Sequence, residues 1–200
     1  MMSSDKQIFF IGFNKTATTS LHFFFLKNNI TSIHYKNNKH CALNVMLDNL
    51  KHKKPVLDGL PYCIFLDFLN DENLDLYKKI YQEHPDAKYV LQIRDKKKWI
   101  LSRLNFMNGG YTKFLNRKYN RNMTVQQYIT LWSRLYDQHI NDVKSFFNDS
   151  PNLYVYNIDT DNLSDLLNFL DVKCNNLQVS REYGKTRHKY YKMAQVIPYL

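Results

Sequence analysis

Residues 7–26 read QIFFIGFNKTATTSLHFFFL, and this stretch decides the fold. Ile8, Phe9, Phe10 and Ile11 form a short unbroken apolar run that stops at Gly12. A strand in a parallel sheet has that pattern, because helices cover both faces and neither meets water. Phe13-Asn14-Lys15-Thr16-Ala17 then makes a short polar loop, and Thr18, Thr19 and Ser20 open a second apolar run. Hydroxyl side chains ahead of an apolar segment mark a helix start. The stretch therefore predicts strand, tight loop, helix. The first turn of a helix presents unpaired N–H groups and the positive end of its dipole, which together make an anion site. Lys15 adds a formal charge, and Thr16, Thr18, Thr19 and Ser20 add donors suited to phosphate or sulfate. The alternative is a plain strand-to-helix turn with a Ser/Thr cap and no ligand.

Working outward, the helix predicted over 21–27 ends near Asn28-Asn29, and ITSIHY (30–35) reads as a second strand with His34 near its end. Residues 37–54 carry Leu43, Met46, Leu47 and Leu50 at amphipathic helical spacing and finish in the basic run Lys51-His52-Lys53-Lys54. Asp58-Gly59-Leu60-Pro61 makes a turn into the strand 62–66, beyond which stands Asp67. DENLDLYKKIYQEH (71–84) is an amphipathic helix with an acidic first turn. The strand 88–93 delivers Arg94-Asp95, and the helix after it carries Trp99, Ile100, Ser102 and Arg103. Residues 105–122, with Gly109-Gly110, read as a mobile loop or partly helical insert, a natural lid or substrate rim. Thr124 caps a long helix to Phe147, followed by a strand at 153–158 and a short helix at 163–170 capped by Asp161 or Asn162.

With 200 residues, 44% hydrophobic and 15% aromatic, the chain is long enough for one domain with a substantial core, and its composition excludes a disordered protein. The net charge of +10 calls for an anionic partner: a nucleic acid, a membrane surface, a polyanionic glycan or a phosphorylated nucleotide. Three widely spaced cysteines give neither a disulfide framework nor a zinc spacing. MMSSDKQ has neither the basic start nor the apolar core of a signal peptide, and no apolar run reaches the roughly 20 residues of a membrane span. These features predict a soluble, cytoplasmic protein.

Two motifs carry a family resemblance. GFNKTATTSL (12–21) resembles the 5′-phosphosulfate-binding loop of sulfotransferases, G-x-x-K-[TS]-G-T-[TS], with Ala17 in place of the second Gly. HPDAKYVLQIRDKKKWILSRL (84–104) resembles the segment in which a strand ends in Arg and a Ser follows eight residues on, here Arg94 and Ser102. In that family the pair binds the nucleotide's 3′-phosphate; a rigid guanidinium fork and a short hydroxyl donor suit a dianion. The tail SREYGKTRHKYYKM (180–193) is similar to a basic segment that folds over the nucleotide in some members, which brings in Lys185 and Arg187.

The resemblance implies a single α/β domain over 1–200, a three-layer sandwich of parallel sheet and flanking helices related to P-loop nucleotide kinases. It implies 3′-phosphoadenosine 5′-phosphosulfate as donor, with no metal, and sulfuryl transfer to a hydroxyl or amine. Asn14, Lys15, Thr16, Ala17, Thr18, Thr19 and Ser20 surround the 5′-phosphosulfate, and Lys15 also acts catalytically. The family uses His or a carboxylate as general base, for which Asp67, at the end of its strand, is the first candidate, with Asp58 and His34 as alternatives. The acceptor pocket falls to segments 36–54 and 105–123, whose basic, Asn-rich character points to a saccharide or acidic polymer. Two other readings compete: a P-loop-like nucleotide kinase, which lacks its Gly-Lys-Ser/Thr and magnesium-binding Asp here, and a non-catalytic nucleotide- or nucleic-acid-binding protein, which accounts for charge but not for the two motifs.

Overall fold

A computed structural model describes residues 7–34, 62–66 and 74–177. Along the chain come β1 (Gln7–Phe10), α1 (Thr18–Lys27), β2 (Thr31–His34), β3 (Tyr62–Phe65), α2 (Leu76–Glu83), β4 (Lys88–Ile93) and α3 (Lys96–Leu104). A 3₁₀ turn (Phe106–Gly109), α4 (Tyr111–Lys118), α5 (Val125–Phe147), β5 (Leu153–Asn157) and α6 (Leu163–Leu170) follow. The five strands form one parallel sheet in the order β2-β3-β1-β4-β5. This is the α/β architecture expected from the opening stretch.

The apolar run of β1 is continuous because successive side chains feed two different cores. Phe9 and Ile11 point into a cluster with Ile64, Tyr89 and Leu91, covered by side chains of α2, α3, α4 and α5. Ile8 and Phe10 point the other way, into a cluster with Cys63, Phe65 and Val90 beneath α1 and α6. All four β1 and adjoining residues Ile8 to Ile11 are fully buried. On α1, Phe24 and Phe25 are buried while Phe23 is only half-buried, so the helix packs on one broad face.

Several boundaries move from their expected places. The helix expected over 71–84 begins at Leu76, so no acidic residue lies in its first turn. The stretch read as loop or insert holds a complete helix, α4, whose Tyr111 and Leu115 are buried at i, i+4. α5 starts where expected, and Thr124 and Gln127 close a reciprocal capping box there. Asn162, rather than Asp161, caps α6. The helix expected within 37–54 lies outside the described residues.

Candidate anion-binding site at the switch point of the sheet

The strand order fixes where a ligand site belongs. The chain leaves β1 toward β2 and leaves β4 toward β5, so the two connections diverge between adjacent strands. Open α/β sheets place ligands in the crevice at that divergence, beyond the carboxyl ends of the strands. The loop carrying Lys15 follows β1, and Arg94 follows β4. They meet: Arg94 Nη1 donates to the Lys15 carbonyl at 3.2 Å. Two motifs some 80 residues apart in sequence thus share one crevice.

The loop is braced from beneath. Gly12 N–H donates to the buried Gln92 Oε1 at 3.0 Å. The Asn14 carbonyl accepts from Trp99 Nε1 at 2.9 Å, and Asn14 Nδ2 donates to Tyr111 Oη at 3.4 Å. His139 Nε2 lies 2.8 Å from the Ile11 carbonyl, which makes Nε2 the protonated ring nitrogen; burial pushes this imidazole's pKa down and keeps it neutral. Phe13 packs against Trp99, Tyr136 and His139. Thr16, fully buried, donates its hydroxyl to the Phe13 carbonyl. The observed bonds of Asn14 and Thr16 therefore hold the loop's shape. The sequence assigned none of Gln92, Trp99, Tyr136 or His139 to the loop, because each comes from a distant element and carries no local signature of that contact.

Lys15 and Ala17 adopt left-handed backbone, at φ 68° and 63°, while Thr16 between them does not. Alternation of this kind aims successive N–H groups toward one side, forming an anion-binding concavity. Helix α1 then begins at Thr18 with Ala17 as its N-cap and without any side-chain cap hydrogen bond. That corrects the expected Ser/Thr cap: the hydroxyl residues lie inside the first turn, and the backbone itself turns the corner. Holding a non-glycine residue in this region costs roughly 1 kcal/mol, and such strain gathers at functional sites. Ala17→Gly is expected to raise the melting temperature by about 2–4 °C. A thermal scan in which the variant melts at or below the wild type would show that Ala17 is unstrained.

Arg94 lies within a charged cluster. Its Nη2 pairs with Asp159 Oδ1 at 3.6 Å, and Lys98 Nζ approaches the same oxygen at 3.5 Å. Asp159 Oδ2 accepts from the Asp95 N–H at 2.8 Å, and Asp95 caps α3 through the Lys98 N–H. Arg94 Nε is buried and makes no hydrogen bond among the described residues. Ser102 is half-buried near the end of α3, on the same strand–helix unit that carries Arg94. The Lys15 ammonium stands 4.4 Å from the centroid of the Phe106 ring. Thr18 is buried, whereas Thr19 and Ser20 are half-buried.

His34 ends β2, the edge strand, with β3 between it and β1. Its ring is 5.5 Å from that of His22, whose Nδ1 lies 2.8 Å from Ser32 Oγ. Burial, and then the neighbouring His34, push the His22 pKa down to about 4, so His22 is neutral at pH 7. Asp58, Asp67, Lys185 and Arg187 lie outside the described residues, as does segment 36–54.

Sheet order and a left-handed loop at a helix start define an α/β protein with a candidate anion site at its switch point. The family is narrower: a sulfotransferase domain model matches residues 7–183, and the chain belongs to the sulfotransferase family. A sulfotransferase from Alicyclobacillus acidocaldarius has a similar solved structure, with a TM-score of 0.56 at 15% identity over 92% of this chain and 87% of that one. At that identity the likeness concerns the fold. No curated protein matches the sequence. Among the described residues no helix is long and apolar enough to cross a membrane.

Proposed function

We propose that the chain transfers a sulfuryl group from 3′-phosphoadenosine 5′-phosphosulfate to a hydroxyl or amine of an acceptor. The observation that supports this reading is the meeting of Lys15 and Arg94 at the switch point of the sheet. A guanidinium at a strand end fits a phosphate, and the alternating loop fits a second anionic group beside it.

In this reading the loop N–H groups and the hydroxyls of Thr18, Thr19 and Ser20 hold the 5′-phosphosulfate end. Arg94 and Ser102 hold the 3′-phosphate, with Lys185 and Arg187 closing over the nucleotide. When bound, the donor supplies an activated sulfuryl group whose bond to the phosphate oxygen breaks as the acceptor attacks. Lys15 places its positive charge where negative charge collects on the leaving oxygen, a role that works because the group is already in place. The acceptor's proton passes to a base for which Asp67 is the first candidate, with Asp58 and His34 behind it. His34 ends β2, which β3 separates from β1.

Calorimetric titration with 3′-phosphoadenosine 5′-phosphate tests the proposal. Micromolar binding is expected, with 5′-AMP binding more weakly. Arg94→Ala is expected to lower affinity for the 3′-phosphorylated nucleotide about 30-fold or more, the consequence of removing a charged hydrogen-bonding partner. Binding indifferent to the 3′-phosphate would reject the proposal.

A further inference from the structure

Arg94 is gripped at its backbone as well as at its side chain. β4 ends at Ile93, whose carbonyl still accepts the Ile158 N–H at 2.9 Å, so Arg94 is the first residue to leave the ladder. Its main-chain groups need partners from elsewhere. One hydroxyl supplies both. The Arg94 N–H donates to Tyr136 Oη at 3.0 Å, and the Tyr136 hydroxyl donates to the Arg94 carbonyl.

Tyr136 stands on α5, with its ring 4.7 Å from that of Trp99 and 5.9 Å from that of Phe13. It is 4% exposed. The two rings it rests on brace the Lys15 loop: Trp99 through its bond to the Asn14 carbonyl, Phe13 as part of the loop itself. Tyr136 therefore joins the two walls of the crevice, the loop after β1 and the residue after β4. Burial pushes its phenol pKa up, which keeps the hydroxyl a donor at physiological pH.

A guanidinium sits at the end of a long side chain, so a small rotation of the Arg94 backbone is magnified at its nitrogens. The Nη1 bond to Lys15 and the Nη2 contact with Asp159 fix the plane only when the backbone is fixed first. We infer that Tyr136 is a positioning residue for Arg94, and that its hydroxyl sets how strongly the site discriminates in favour of a nucleotide bearing a 3′-phosphate. This rests on the proposed nucleotide site.

The experiment compares wild type, Tyr136→Phe, Arg94→Ala and the double variant by calorimetry with 3′-phosphoadenosine 5′-phosphate and with 5′-AMP, recording a thermal melt of each sample. Tyr136→Phe is expected to weaken binding of the 3′-phosphorylated nucleotide about tenfold, the equivalent of one or two lost hydrogen bonds. Its 5′-AMP affinity stays within about twofold of wild type, so the ratio of the two affinities falls. In the Arg94→Ala background the same change costs nothing further, because the group it positions is gone. A ratio unchanged in Tyr136→Phe, or an additive loss in the double variant, overturns the inference even where wild type prefers the 3′-phosphate. Equal loss of both nucleotides together with a lowered melt also overturns it, showing a merely structural tyrosine. Wild type without any 3′-phosphate preference is the different result that removes the proposed site and this inference with it.

Discussion

Lys15→Ala is expected to lower the turnover number for sulfuryl transfer by about 10²–10³, the size of effect seen when one preorganised donor to a developing negative charge is removed. The fold should survive. The main-chain contacts of the loop run through Gly12, Asn14, Trp99 and the Lys15 carbonyl, all of which alanine leaves in place. At φ 68° alanine is held in the same left-handed region as lysine, so backbone strain is almost unchanged. What disappears is an ammonium held 4.4 Å from the Phe106 ring centroid, a placement that limits its wandering before any ligand arrives. The assay is initial rate at saturating donor, alongside a melt to show an intact fold. A folded variant with a turnover number within tenfold of wild type would remove Lys15 from the mechanism.

Gly12→Ala has the largest expected effect on stability. The reason is space, not backbone angle. A Cβ at this position falls 2.2 Å from the Gln92 carbonyl oxygen and 2.7 Å from Gln92 Cδ. The side chain could rotate aside at the cost of its bond to the Gly12 N–H, but the carbonyl belongs to β4, in the middle of the sheet. Relief requires the β1 and β4 ends to part, which opens the crevice. Overpacking of this severity costs about 3 kcal/mol or more, out of a total of roughly 5–15. The melting temperature should fall by roughly 6–12 °C. Adding Gln92→Ala should not restore it, because the nearest atom is main chain. A double variant that melts like the wild type would place the conflict in the side chain instead.

The parts of the molecule that were legible in the sequence are those whose cause is local. Ile8 to Ile11 stand without polar interruption because both faces of β1 are covered, and that alone predicts the buried parallel strand. Thr124 and Gln127 sit at capping-box spacing, so the start of α5 was readable. The crevice was legible by pairing two motifs, each at a strand end. Its walls were not. Tyr136, His139, Gln92 and Asp159 act on groups tens of residues away, and nothing near them in sequence records the partner. The hydroxyl-rich run misled in a specific way: Thr18 to Ser20 looked like a cap, yet the turn is made by Lys15 and Ala17 in left-handed backbone. α4 was obscured because Gly109-Gly110 just ahead of it and the Lys, Arg and Asn residues around it read as loop, although Tyr111 and Leu115 hold helical spacing.

The order of the sheet also bears on how the chain reaches it. β1 precedes every other strand but ends at the centre, with β3 on one side and β4 on the other. Its partners are residues 62–65 and 88–90. At a synthesis rate of roughly 5–20 residues per second, Ile8 to Ile11 wait several seconds before both edges can be paired. During that interval this unbroken apolar segment has two open hydrogen-bonding edges and no charged residue within it, the description of a template for association with another chain. Pairings this distant in sequence also close slowly once the residues are available. The strand that leads into the candidate site thus stands unpaired while its partners are still being made, and α1, formed locally just after it, is the first described element able to cover one of its faces.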